Sequence, residues 1–267
     1  MTTVRAALMK WESKWGDVHH NLDQYERMAA TLTDLKPDLI VTPECFLDGY
    51  MERDKERCTR DKIAQCSVTG PEDSLLAKVA EISKQLSCYT VFGATESGPD
   101  AALYNVAYLF GRKGEHIGTY YKVQTKKYYD PGHDLPVFET DFGKIGIVIC
   151  ADRRWPENIR TLRVKGADLI ANPTWGSYGD LNTALVRTRA YENGIPVCFA
   201  HPRQSLVCGS NGAIDAILQS NVPGILTYDI DLTRNIGMAP DPQEDVSDCE
   251  PIQYRRPELY HALIDGL

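Results

Sequence analysis

The sequence predicts an α/β protein in which several helices cover a buried sheet core. Three observations carry this. Short apolar runs of strand length recur between Val4 and Ile230, amphipathic stretches with apolar residues three and four apart lie among them, and neither kind gathers at one end of the chain. At 267 residues the length is compatible with one large α/β domain, and no repeat, low-complexity block or linker divides residues 1–267.

Val4–Trp11 reads as the first strand. From Asp17 to Lys36, Val18, Leu22, Tyr25, Met28, Leu32 and Leu35 recur at helical spacing, with Asp17 as N-cap and Pro37 as a stop. Asp38–Glu44 is a short buried strand ending at a carboxylate, and residues 51–70 are a charged, irregular excursion able to form a lid. A second amphipathic helix covers Leu75–Leu86, and strands follow at Tyr89–Glu96, Leu103–Phe110 and His116–Lys122, with turns at Gly98-Pro99-Asp100 and Arg112–Gly114. After a Tyr- and Pro-containing loop, Lys144–Cys150 is a continuous apolar run of buried-strand type. Pro156 suits the first turn of a helix reaching Lys165 and stopped by Gly166. Asp168–Asn172 is another strand, Asn182–Glu192 a helix, and Ile195–Ala200, Ala213–Leu218 and Ile225–Ile230 are strands. The last thirty or so residues read as an extended, partly charged tail.

Composition narrows the function. The chain is 43% hydrophobic and 25% charged, with formal charge −8, as expected of a soluble globular protein. No apolar run approaches the ~18 residues of a membrane span, and the acidic balance lacks the basic stripe of a nucleic-acid binder. The N-terminus MTTVRAALMKWE has no apolar core of secretory-signal type, so a cytoplasmic, reducing location is expected. The eight cysteines form no CxxC and no zinc-type Cys/His spacing, and His19, His20 and His133 have no ligand partners in sequence; no metal site is expected.

Three reactive side chains stand directly after apolar strands: Glu44, Lys122 and Cys150. Ligands of open α/β sheets gather at the carboxyl ends of strands, so a carboxylate, an ammonium and a thiol arriving there can face one pocket. Together they suit nucleophilic acyl transfer. A thiol near its reference pKa of about 8.5 needs a base or a nearby cation. Glu44 is placed to take the proton and Lys122 to stabilise thiolate and oxyanion, while the backbone N–H of Ala151 completes an oxyanion site. Taken singly, each residue has an ordinary reading as well: a core cysteine, a solvated lysine, a loop-capping glutamate.

Thr42-Pro-Glu44, Gly118-Thr-Tyr-Tyr-Lys122 and Gly146-Ile-Val-Ile-Cys-Ala-Asp-Arg-Arg-Trp-Pro-Glu157 resemble the three signature segments of the nitrilase, or carbon–nitrogen hydrolase, superfamily, in the right order. Asp130–Thr140, Gly166–Thr174, Arg189–Asn193 and Arg255–Tyr260 are similar to supporting segments, so the resemblance runs over essentially the whole chain. It implies a four-layer αββα sandwich, a homodimer or larger homo-oligomer paired through its helices, no cofactor, and a Glu44–Lys122–Cys150 triad that hydrolyses non-peptide C–N bonds through an acyl-enzyme. Small-molecule amide, ureido (N-carbamoyl-amine) or nitrile substrates are the implied partners. On that reading Lys122→Ala removes turnover and spares the fold.

Two features depart from the pattern. Many members carry a further Glu between the lysine and the Pro-Gly segment, whereas Val123–Asp130 contains none; Asp130 is the carboxylate there, one methylene shorter and next to Pro131. Ala151 stands where Tyr is common, which leaves the N–H in place and makes the wall smaller. Trp175, Tyr50 and Arg154 are the candidate substrate-binding residues, with core packing or an ion pair to Asp152 or Glu157 as the structural alternatives; Lys126 and Lys127 could meet an acidic substrate. A linear amide or N-carbamoyl amine is the leading substrate class. A true nitrilase, a non-catalytic metabolite binder and a thiol redox sensor are the alternatives.

Overall fold

In a computed structural model that describes residues 3–234, 252 and 255–263, the apolar runs assemble into two mixed six-stranded sheets. The elements in chain order are β1 (Thr3–Lys10), α1 (Val18–Ala30), β2 (Leu39–Val41), α2 (Arg60–Gln65), α3 (Ser74–Leu86), β3 (Tyr89–Ser97), β4 (Leu103–Phe110), β5 (His116–Tyr121) and β6 (Val137–Thr140). There follow β7 (Gly143–Ile147), α4 (Pro156–Val164), β8 (Leu169–Pro173), α5 (Asp180–Asn193), β9 (Val197–Ala200), β10 (Gln204–Cys208), β11 (Ile214–Gln219) and β12 (Gly224–Asp231). One sheet runs β12-β1-β2-β3-β4-β5 and the other β11-β10-β9-β8-β7-β6. Each has a parallel trio, β1-β2-β3 or β7-β8-β9, flanked by antiparallel strands. The two sheets therefore repeat one plan, with β12 returning to complete the first.

The period-two geometry of a strand explains the layers. In β1, Ala6 and Leu8 point to the space between the sheets, where Val41, Val91 and Leu109 meet Ile145, Ile147, Ile149 and Val207. Ala7 and Met9 point the other way, with Phe92 and Tyr108, onto Leu22, Tyr25 and Met28 of α1 and Leu76, Val79 and Ile82 of α3. On the far side Ile170, Val197, Phe199 and Leu206 pack against Ile159 and Leu162 of α4 and Val186 and Ala190 of α5. The result is the expected αββα sandwich.

Helix ends follow their capping signals. Asp17 and Asp73 accept the N–H groups of His20 and Leu75, and Pro156 fills the first turn of α4. The stretch expected to continue α1 to Lys36 leaves the helix at Thr31 and continues as turns. Two strands have no counterpart in the sequence reading. β6 is only four residues behind Pro136, and β10 opens on Gln204-Ser205, polar residues that the fold buries. Residues 51–70 are more ordered than expected. Met51–Arg53 form one 3₁₀ turn and α2 is capped by Thr59, while Met51, Cys58 and Ile63 share an apolar cluster with Leu103 and Tyr129. The expected tail lies largely outside the described residues, as does Cys249.

Candidate active site

Glu44 is delivered by the crossing that follows β2. Pro43 to Cys45 passes so close over β3 that a Cβ at Gly93 would stand 2.4 Å from the Pro43 carbonyl oxygen, so this position admits only glycine without a backbone shift. Lys122 follows β5, its N–H bonded to the Asn105 carbonyl at 2.9 Å. The two side chains meet at 2.5 Å, Lys122 Nζ on Glu44 Oε1, and are 6% and 0% exposed. Asn105 Nδ2 donates to the same oxygen at 2.9 Å, and the Trp175 backbone N–H, just beyond β8, donates to Oε2 at 3.0 Å. Glu44 is thus held by groups from both sheets, on β4, after β5 and after β8. Burial works against the Lys122 ammonium, but the Glu44 carboxylate beside it, with Cys150 and Asp152, holds its pKa above the usual lysine value.

Cys150 opens a 3₁₀ turn, Cys150–Arg154, beyond β7, in the left-handed backbone region at φ 44°. A non-glycine residue held there stores strain, and its neighbours fix it. Asp152 Oδ2 accepts the Tyr120 hydroxyl at 2.7 Å and the Ile149 N–H at 3.0 Å, and Oδ1 accepts the Gln124 N–H at 2.8 Å. The turn is thereby tied to β5 and to the loop carrying Lys122. Its carbonyls are held by guanidinium groups: Arg153 donates to Cys150 O, and Arg189 of α5 to Arg153 O at 2.8 Å and Arg154 O at 3.1 Å. The Arg189–Asn193 segment singled out in the sequence therefore braces the cysteine turn. Ala151 follows Cys150 in the first turn, where N–H groups lie outside the helical ladder.

Cys150 is 6% exposed and lies 3.4 Å from where a Cβ of Gly176 would be. The other described thiols are pushed away from the reactive thiolate. Burial raises Cys88 to about 11 and Cys198 and Cys208 to about 12, lifts Cys45 well above its usual value, and raises Cys58 and Cys66. Lys122 stands within electrostatic reach of Cys150.

Tyr50 and Trp175 come together as a stacked pair, ring centroids 5.2 Å apart and 12° from parallel. The Glu44 charge, burial and Cys150 raise the Tyr50 phenol, and its stacking partner Trp175 is the residue whose backbone N–H binds Glu44. Arg154 is exposed and donates to the Ser177 hydroxyl at 3.1 Å, not to Asp152 or Glu157. Asp130 is engaged elsewhere: its Oδ2 accepts Arg60 at 2.5 Å and the Leu103 N–H at 2.8 Å. Lys126 and Lys127 are exposed, and Lys127 Nζ lies over the Tyr128 ring. Among the described residues no group of three or more His, Cys, Asp or Glu side chains is placed to hold a metal ion.

Asn105, Asp152 and Arg153, which hold Glu44 and the Cys150 turn, and Glu52 were not singled out as candidate site residues. A polar Asn inside the apolar run Leu103–Phe110 was the available signal, since a buried amide needs partners. Glu52 sits in the excursion read as a lid, and its carboxyl is raised by burial and by Glu44 against the opposing pull of Lys122.

The same architecture occurs in solved nitrilase-superfamily proteins. An amidase from Nesterenkonia superposes with a TM-score of 0.76 at 24% identity, covering 97% of this chain and 96% of that one. Saccharomyces cerevisiae Nit3 superposes with a TM-score of 0.77 at 21% identity over 88% and 92%. Residues 5–237 match the carbon-nitrogen hydrolase family model, and the chain belongs to that family. Among curated relatives, a "Probable nitrilase" of Schizosaccharomyces pombe is 28% identical over 85% of this chain and 88% of its own length. The "Hydrolase in pqqF 5′ region" of Pseudomonas protegens is 32% identical over 78% and 74%.

Proposed function

We propose that this carbon–nitrogen hydrolase cleaves a linear amide or N-carbamoyl amine through a Cys150 acyl-enzyme, with residues 1–267 acting as one domain. The observation that carries the reading is the buried 2.5 Å Lys122–Glu44 pair beside Cys150, with the carboxylate fixed by Asn105 and the Trp175 N–H.

Glu44 takes the thiol proton as Sγ attacks the carbonyl carbon, and the carbonyl π pair moves onto oxygen. Lys122 and the Ala151 N–H stabilise that oxyanion. The C–N bond then breaks, Glu44 returns the proton to the leaving nitrogen, and ammonia or an amine departs. Water, deprotonated by Glu44, attacks the thioester; the C–S bond breaks, the acid leaves and the thiol is restored. Tyr50 and Trp175 form the aromatic wall on which the substrate lies, and Arg154 belongs to its rim.

A nitrilase reading, in which Sγ adds to a nitrile and forms a thioimidate, is favoured by the name of the Schizosaccharomyces relative. Matched amide, N-carbamoyl and nitrile panels separate the two. Hydrolysis of amides or ureido compounds, with an acyl adduct on Cys150 that disappears in Cys150→Ala, is the expected result; turnover of nitriles alone refutes it. We also propose a homodimer through the α4–α5 face, where Val164, Leu181 and Tyr191 are exposed. A monomeric mass in sedimentation at micromolar concentration would exclude it.

A further inference from the structure

A carboxamide or ureido group brings N–H donors into a site whose reactive groups are nearly shut off from water, and each donor left without an acceptor is penalised. The nearby carboxylates are almost all committed. Glu44 Oε1 accepts from Lys122 and Asn105, Oε2 accepts the Trp175 N–H, and the same group serves as base in the proposed reaction. Asp152 uses both oxygens to hold the cysteine turn, and Asp130 is bound to Arg60 and the Leu103 N–H. Asp48 is fully buried on the side of Cys45 and Thr95.

Glu52 is placed differently. Its 3₁₀ turn, Met51–Arg53, is clamped across the aromatic wall. On one side of the turn Tyr50 stacks on Trp175, and on the other the Arg53 guanidinium lies 5.0 Å from the centroid of the same indole. Glu12 fastens that guanidinium at 2.5 Å and holds Arg203 at 2.8 Å through its other oxygen. Between these anchors, on the turn held against the Trp175 indole, the half-buried Glu52 side chain stands within electrostatic reach of Lys122 and Glu44.

We propose that Glu52 is a substrate-binding residue of this site, its carboxylate accepting an N–H of the carboxamide or ureido group whose C–N bond is cleaved. The inference rests on the hydrolase reading above and deepens it. The acceptor comes from the turn after Tyr50, not from the loop between Lys122 and Pro131. A nitrile has no N–H, so the contact favours amides over nitriles.

The test compares wild type, Glu52→Ala and Glu52→Gln by two measurements. The first is the rate at which iodoacetamide and iodoacetonitrile, equal in leaving group, alkylate the Cys150 peptide, read by mass spectrometry. The expected ratio of amide to nitrile labelling falls about tenfold in Glu52→Ala, in keeping with loss of one hydrogen bond to a charged acceptor, and recovers in part in Glu52→Gln, whose carbonyl still accepts. An unchanged ratio in both variants, or no labelling of Cys150 by either reagent, overturns the proposal. The second is turnover of butyramide and butyronitrile. Wild type that hydrolyses only the nitrile while the ratio still falls in Glu52→Ala refutes the amidase reading and leaves the Glu52 contact standing. Amide hydrolysis with an unchanged ratio does the reverse.

Discussion

Removing the Lys122 ammonium tests how the site is built as well as what it does. Its side chain is 6% exposed and that of Glu44 is 0% exposed, so Lys122→Ala leaves a carboxylate in the interior with only Asn105 and the Trp175 N–H as donors. Breaking one partner out of a buried ion pair costs about 3–5 kcal/mol. The variant therefore loses stability as well as turnover, and the expectation that the fold is spared gives way to a measurable penalty. The pH dependence has a definite sign. In wild type the lysine pKa is raised, so its contribution is fully present below the ordinary lysine range and is lost only as pH rises through the folded value. From pH 5 to 9 it is constant. In the variant the orphaned carboxylate is relieved by taking up a proton, so the gap to wild type is widest near pH 8 and narrows as pH falls toward the ordinary glutamate range, about 4.3. Urea denaturation at pH 5 and pH 8 measures the gap. Glu44→Gln in the Lys122→Ala background removes the stranded charge and recovers more than half of the loss at pH 8. A loss below about 1 kcal/mol at pH 8, the scale of an exposed pair, or a double variant no more stable than the single one, would show that the pair is not a buried, mutually dependent unit.

Two further perturbations test the frame around the site. Burial pushes the Asp48 carboxyl up to about 7 from 3.8, so its folded pKa lies above the unfolded one; stability is fullest below the unfolded value and declines as pH rises to the folded one. The non-titrating Asp48→Asn gains on wild type by about 4 kcal/mol between pH 4 and pH 8, at 1.36 kcal/mol per unit; a difference constant with pH in urea titrations would refute this. Gly93→Ala places a methyl 2.4 Å from the Pro43 carbonyl oxygen and 2.9 Å from the Cys45 nitrogen. Overpacking of this kind costs about 1–3 kcal/mol, and because the strain falls on the segment carrying Glu44, turnover is expected to fall more than thermal stability does. Turnover within twofold of wild type would show that the crossing tolerates the added atom.

Much of the αββα frame was legible in the sequence because strands and amphipathic helices repeat with local periods. Ala6 and Leu8 face one layer while Ala7 and Met9 face the other, and Leu22, Tyr25 and Met28 lie on one helical face. Glu44, Lys122 and Cys150 stood out as candidates for a related reason: each follows an apolar run, inside a segment similar to a family signature. What failed lacked a period. β6 is too short to show one, and β10 begins with polar residues whose burial depends on neighbouring strands.

The tertiary structure decided the rest, because contacts between distant segments leave no mark in either segment alone. Asn105 reaches Glu44 across 61 positions and Trp175 reaches it across 131. Asp152 joins the cysteine turn to the strand of Tyr120, and Arg189 closes on that turn from α5. Asp130 lost its candidacy to Arg60, seventy positions away. Glu52, on a charged stretch indistinguishable in sequence from a solvated loop, lies on a turn fixed by the stacking of Tyr50 on Trp175 and the grip of Glu12 on Arg53. Sequence alone picked out side chains of suitable chemistry and the strands that precede them; packing between the sheets and around the turn after Tyr50 decided which of them stand close together.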